Sequence, residues 1–523
     1  MRHSGYGRKV WAGAMMTAAA AILATGIGAV GASAQELTQV PPFSINDLMA
    51  LKPASPVPYV AVAAPRPAHV VSTRHKGRFD GQAIQYTATV GETFIPGDDN
   101  KDAEAAMVTI AYVRDGVRDP AHRPVAFIFN GGPGASSTPL QGGLAPRIPD
   151  KSDIDSGRYI DNPDSVLDAV DLVFIDPIGT GFSRALSGKP VEQYWSTRGD
   201  AQSVRYFIQT WLREHHRETS PRYIVGESYG TARAGHIAEI GEDLNLDGIV
   251  LISSTGSPGG EDLDAATRFP TFATAAAFHG KGRDAGKDAR QVFDDNVRFA
   301  EGPYLAALVK GDRLSAEERD AMAGEIADRL GLPKDFILAH NLRPENYDFM
   351  LNLLKAEGQR TGQLDARAKG DLETYAKRNP PYDDPSMSLG AKGTPNTPTS
   401  PASNEVEKAF LAHELGYESD EGYFGLNLKM LFNFKHDVDF NWRPMDAISK
   451  LMHTQAKLRL LLTGGLYDIT TPFHTAEYNL SHADVPRDRT TVRGLESGHE
   501  VYGGKNIVVF NQILRDFVRP AEH

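Results

Sequence analysis

Gly226-Glu227-Ser228-Tyr229-Gly230 follows the apolar run Tyr223-Ile224-Val225 and precedes a helix-like stretch, Thr231 to Ile240. A G-x-S-x-G sequence between a strand and a helix makes a turn so tight that the serine backbone is strained and its hydroxyl stands in the open. The residues two before and two after the serine crowd each other there, so both must be glycine. The helix that follows aims its N-terminal N–H groups and positive dipole end at the same place. An ordinary Gly-rich turn is the bland alternative, so the motif needs company to mean a nucleophile.

A serine hydroxyl is a poor nucleophile until a base takes its proton and an acid orients that base. After an elbow serine the expected chain order is Asp or Glu, then His. The run Leu458 to Leu462 leads into Thr463-Gly464-Gly465-Leu466-Tyr467-Asp468, which puts Asp468 on a loop at a strand's C-terminal end. A second run, Thr490 to Val492, leads into Ser497-Gly498-His499-Glu500 and sets His499 on the next loop. Ser228, Asp468 and His499 are therefore the candidate catalytic residues; a turn-capping aspartate and an ordinary loop histidine are the alternatives for the last two. Asn130-Gly131-Gly132-Pro133-Gly134-Ala135-Ser136-Ser137 follows the apolar run Val125 to Phe129. Such a loop can offer a backbone N–H to a developing oxyanion, with the N–H of Tyr229 as the second donor. A phosphate loop is the competing reading, but no G-K-[ST] follows and no G-x-G-x-x-G is present.

These residues need a scaffold. Short alternating runs from Val70 to about Val117, such as Ala83 to Val90 and Met107 to Val113, read as antiparallel edge strands. Nearly continuous apolar runs at Val125–Phe129, Leu172–Ile175, Tyr223–Val225, Ile249–Ile252 and Leu458–Leu462 suit buried parallel strands. Helical patterns alternate with them, as at Ala201 to His215 and Ile507 to Phe517, so the expected class is α/β with a mostly parallel central sheet. Between Ile252 and Leu458 helix-like segments dominate: Ala316 to Leu330, Tyr347 to Glu357 and Leu364 to Lys377, with a Pro/Gly/Ser/Thr-rich loop from Leu389 to Ser403. This reads as a large helical cap inserted over the sheet's carboxyl edge. The expected organisation is core over 70–255 and 456–523, with the cap over 256–455.

Arg2, Arg8 and Lys9, the apolar Ala/Gly-rich stretch Val10 to Val30 and the small residues Ala32-Ser33-Ala34 read as a signal peptide over 1–34, with an uncleaved anchor as the alternative. A Pro/Ala-rich arm spans 35–69. Removal of residues 1–34 would move the formal charge from −12 to −15, three cations being lost. An acidic chain without a clustered basic stripe is a poor match for nucleic acid, and stable membrane association is not expected after cleavage. Zero cysteines exclude disulfides, thiolate catalysis and Cys-ligated metal. No metal or other cofactor is expected: His413-Glu414 meets Tyr417 where H-E-x-x-H needs its second histidine, and Asp98-Asp99-Asn100 lacks the rest of a calcium loop.

Asn130 to Ser137, Asp176-Pro177-Ile178-Gly179-Thr180-Gly181-Phe182-Ser183, Gly226 to Gly230, Asp468 and Gly498-His499 together resemble the serine carboxypeptidase family, here in a bacterial, exported form. The resemblance implies an α/β-hydrolase fold and removal of C-terminal residues from peptides with a free C-terminus. It implies Ser228 as nucleophile, His499 as base, Asp468 as its orienter, and Gly132 and Tyr229 as the oxyanion hole. Asn130 and Glu227 would hydrogen-bond the substrate's terminal carboxylate, which requires a proton on Glu227 or shared with the ligand. The chain also departs from the pattern. Ala135 stands where eukaryotic members carry cysteine, Gly142-Gly143-Leu144-Ala145 holds no second recognition acid, and His-Met-Val-Pro becomes His499-Glu500-Val501-Tyr502. Arg147, nearby, could pair with a carboxylate or be a surface cation.

An exported aminopeptidase of the proline-iminopeptidase or tripeptidyl type shares Gly-Gly-Pro-Gly and Gly-x-Ser-Tyr-Gly-Thr, and a carboxylesterase or acyltransferase would use the same triad. Asn130 before the glycines and the Asp176 to Ser183 stretch favour the carboxypeptidase. A non-catalytic binding module is the reading from another class, and such modules usually lose a triad member.

Overall fold

The computed structural model describes residues 59–97, 100–150, 158–375, 384–387, 403–437 and 444–519. The signal-like segment 1–34, residues 35–58 of the arm, Asp98-Asp99 and residues 389–402 of the Pro/Gly-rich loop lie outside them.

Among the described residues the central sheet opens with three antiparallel strands, β1 (Val70–Phe79), β2 (Gln82–Pro96) and β3 (Ala103–Arg114). It continues with β4 (Val125–Phe129), β5 (Asp171–Ile175), β6 (Arg222–Glu227), β7 (Gly248–Ile252), β8 (Arg459–Gly465) and β9 (Thr490–Leu495). The spatial order is β1-β2-β3-β5-β4-β6-β7-β8-β9, with the two-residue strand Arg184–Ala185 also pairing with β3. From β5 to β9 all neighbours are parallel.

The apolar runs are continuous because both faces of these strands are covered, yet side chains still alternate between two cores. Val125, Phe127 and Phe129 join one core with Ile224, Leu251, Leu460 and Leu462. Ala126 and Ile128 join the other, with Val225, Val250 and Leu461. Helices α1 (Thr197–Glu214) and α2 (Tyr229–Ile240) cover the first face, while the C-terminal helix, which carries Phe510, Leu514 and Phe517, covers the second.

The cap has a third core of its own, built by α3 (Glu261–Phe278), α4 (Ala289–Phe299) and α5 (Ala316–Leu330). Helix α5 spans the expected residues for local reasons. Ser315 Oγ accepts from Glu318 N at 3.1 Å, Glu318 returns the bond to Ser315 N at 2.9 Å, and Gly331 closes the helix in the left-handed region at φ 65°. The cap core takes in Leu466, Tyr467, Ile469 and Phe473, the residues that flank Asp468. Helix α6 (Pro444–Thr454) instead sends Met445, Ile448, Leu451 and Met452 into the core beneath the sheet. No helix among the described residues is long and apolar enough to cross a membrane.

The helix expected over Leu364 to Lys377 does not form as such over its described residues, 364–375. Residues 363–368 are turns, followed by a strand, Lys369–Asp371, and a single helical turn, Leu372–Tyr375. Their backbone groups are used elsewhere: Gln363 O accepts from Ile469 N at 3.1 Å, Leu364 O from His499 N at 2.7 Å, and Ala366 N donates to Tyr467 O at 2.9 Å. Tertiary hydrogen bonds override helix propensity here. The stretch Tyr347 to Glu357 is likewise shorter than expected, a helix over Asn346–Asn352 and a 3-10 turn over Lys355–Glu357.

One buried charge anchors the base of the sheet. Asp171 opens β5 and accepts from Arg123 Nε at 2.7 Å and Arg217 Nη1 at 2.8 Å, its own side chain fully buried. Removing a carboxylate and leaving two buried guanidinium groups costs about 3–5 kcal/mol. Asp171→Ala should lower the urea unfolding midpoint accordingly, with the slope unchanged.

Candidate active site

Strand β6 ends at Glu227, so Ser228 is thrown into the turn before α2. Its φ of 58° and ψ of −128° place a non-glycine residue in strained backbone. A Cβ on Gly226 would lie 2.3 Å from the carbonyl oxygen of Gly230, so the crowding expected across the serine is present. A Cβ on Gly131 would lie 2.3 Å from the backbone nitrogen of Tyr229, so the Gly-rich loop rests directly on the elbow. Tyr229 opens α2, and its N–H has no acceptor within the helix. Gly132, at φ 98°, turns the loop beside it.

The loops after β8 and β9 bring Asp468 and His499 together. Asp468 Oδ2 lies 2.7 Å from His499 Nδ1. The same carboxylate accepts from Thr470 N at 2.9 Å, Thr471 N at 3.1 Å and the Thr471 hydroxyl at 2.6 Å, so it arrives oriented. His499 is tied to neighbouring strand ends through its backbone. Its carbonyl accepts from Ser253 Oγ at 2.6 Å, and Ser253 follows Ile252, whose carbonyl accepts from Ser228 N at 3.0 Å. Burial alone would lower the histidine pKa, but the Asp468 charge and hydrogen bond, with Glu227 and Glu500 behind, push it up to about 9.

Glu227 is buried beside Ser228. Asn130 Nδ2 donates to its Oε2 at 2.9 Å, so the two residues expected to recognise a carboxylate touch each other. The Tyr502 hydroxyl lies 2.8 Å from Oε2 and 3.0 Å from Oε1. Burial raises the Glu227 pKa to about 8, against the opposing pull of His499. Asn130 is held in turn: its carbonyl accepts from Arg233, whose Nε is paired with the fully buried Asp200 at 2.7 Å.

The Asp176 to Ser183 stretch proves to be a brace. Asp176 Oδ1 accepts from Ser137 N at 2.8 Å and Ser137 Oγ at 2.7 Å, and Oδ2 accepts from the Tyr423 hydroxyl at 3.0 Å. It thereby fixes the far end of the Gly-rich loop. Tyr502, Thr471, Tyr423 and the Asp200–Arg233 pair were not singled out in the sequence; for Tyr502 the altered residues after His499 were the available signal. Arg147 is not in this constellation. It pairs with Asp161 at 2.9 Å and Glu414 at 3.0 Å on an edge of the molecule.

Comparison with known proteins follows the same line. Residues 112–241 match the sequence model of the family described as serine carboxypeptidase. That span holds Asn130, the Gly-rich loop and Ser228, and stops short of Asp468 and His499. Serine carboxypeptidase-like 5 of Arabidopsis thaliana is 31% identical over 153 residues, 26% of this chain and 33% of that protein. Serine carboxypeptidase-like 34 of the same plant is 30% identical over 125 residues, covering 23% of this chain and 24% of that protein. The matched region thus spans a third or less of these curated relatives. Among solved structures, a prohormone-processing carboxypeptidase from Saccharomyces cerevisiae superposes with a TM-score of 0.54 at 13% identity, over 83% of this chain and 91% of that one. At that identity the likeness speaks for the fold, which is that of the α/β-hydrolases. Over residues 112–241, then, the chain is similar to the serine carboxypeptidase family.

Proposed function

We propose that the chain is a serine-type carboxypeptidase, releasing C-terminal residues from peptides through an acyl-enzyme. Ser228 attacks the scissile carbonyl while His499 accepts its proton, and Asp468 holds the imidazole in the required tautomer. The N–H groups of Gly132 and Tyr229 receive the oxyanion. His499 then returns the proton to the departing amine, and water repeats the cycle on the acyl ester.

The observation that carries the direction of trimming is the buried Glu227 carboxyl, held by Asn130 one residue before the nucleophile. A substrate's terminal carboxylate needs donors, and an ionised glutamate would repel it. Raised to about 8 by burial, Glu227 keeps a proton to donate below that pH. The acid limb of kcat/KM then belongs to His499, which must be neutral to act as base. The alkaline limb belongs to Glu227, which must stay protonated. The raised value of His499 includes the charge of an ionised Glu227 and does not hold while Glu227 is neutral, so the limbs are the macroscopic values of a coupled pair and not those of either group alone.

Glu227→Gln tests this. Glutamine keeps a donor without titrating, so the alkaline limb on a free-ended peptide should flatten. Initial rates across pH decide it, and an unchanged profile would remove terminal-carboxylate recognition.

A second reading rests on one observation. Both groups on Glu227, the Asn130 amide and the Tyr502 hydroxyl, can donate, which favours an ionised carboxylate able to hold an N-terminal ammonium. An aminopeptidase would follow. The n-region, apolar stretch and Ala32-Ser33-Ala34 support an exported enzyme, periplasmic or extracellular, in either case.

A further inference from the structure

Tyr502 lies three residues after His499, on the same loop, and is almost fully buried. Its ring fills the space above Gly143, where a Cβ would come within 2.5 Å of a ring carbon. The hydroxyl thus arrives at Glu227 from a chain segment 275 residues away, with its position set by packing.

The two oxygens of Glu227 are not equivalent. Oε2 receives Asn130 Nδ2 at 2.9 Å, from an amide nitrogen that can only donate, and the Tyr502 hydroxyl at 2.8 Å. Oε1 has the tyrosine alone, at the longer 3.0 Å. A carboxyl oxygen that accepts two hydrogen bonds is the carbonyl oxygen, so the proton of a neutral Glu227 is driven to the other one.

We propose that Tyr502 is a positioning residue for substrate selection: with Asn130 it fixes the Glu227 proton on Oε1 and makes that oxygen the donor met by a peptide's terminal carboxylate. The inference rests on the carboxypeptidase reading. No proton is gained or lost in the step; its location is selected. The charged and titratable groups acting on Glu227 are His499, Glu500, Asp468 and Tyr502, from the loops after β8 and β9. The loop that carries the base therefore also carries the group that sets the selector.

Tyr502→Phe keeps the ring over Gly143 and removes only the hydroxyl. The probes are an N-blocked peptide with a free C-terminus and its C-amidated twin, with thermal melting of the variant as a control on the fold. The preference for the free end, as a ratio of kcat/KM, should fall about 10- to 50-fold, carried mainly by KM. The alkaline limb should move to higher pH, since the tyrosine hydrogen bond is one of the effects holding Glu227 down. A variant with the wild-type preference and an unmoved limb would overturn the inference and leave the carboxypeptidase reading standing. A wild-type enzyme that cleaves both peptides equally would overturn that reading, and the inference with it.

Discussion

Ser228→Ala should reduce kcat by about 10⁴-fold or more while leaving the melting temperature near that of the parent. The hydroxyl sits on a backbone strained at φ 58°, and no regular strand-to-helix connection needs a non-glycine residue there. Alanine fits the same site, so the fold is spared and the chemistry lost. The N–H groups of Gly132 and Tyr229 remain in the variant, which should still bind peptide. Purified Ser228→Ala with parental turnover would remove the nucleophile assignment.

Asp468→Asn should cost about 10⁴-fold in kcat, the scale seen when a triad acid loses its charge. Asparagine keeps the volume of a fully buried side chain, but its amide can present a donor where His499 Nδ1 needs an acceptor at 2.7 Å. The imidazole then settles in the wrong tautomer. With the negative charge gone, the main influence raising His499 disappears, so the acid limb of the remaining activity should move to lower pH. Steady-state kinetics across pH read both effects at once. A variant within tenfold of the parent would mean that another acid orients the histidine.

Much of this site was legible because its parts are local in sequence. The elbow is a five-residue statement: the Gly226–Gly230 crowding and the strained Ser228 follow from its own composition. Asp468 and His499 were legible from order and strand-end position, since β8 and β9 end just before them. What was not legible depends on contacts between distant segments. Tyr502 meets Glu227 across 275 residues, and the Asp200–Arg233 pair joins two helices whose contact no periodicity reveals. The Leu364 to Lys377 stretch has helical composition, yet its backbone is drawn into hydrogen bonds with the Tyr467–Ile469 and His499 loops. Ala366 of that stretch shares a core with Leu466, Tyr467 and Ile469, so the segment helps to position Asp468 and His499.

If Glu227 and Asn130 direct attack to a free C-terminus, the purified protein must tell the two ends of a peptide apart. The most direct measurement offers the purified protein two peptides of one sequence, N-blocked with a free carboxylate and C-amidated with a free amine, and follows their masses with time. The N-blocked peptide should lose C-terminal residues stepwise, with the amidated one largely intact. Loss of residues from the free N-terminus, with the N-blocked peptide untouched, would contradict that expectation.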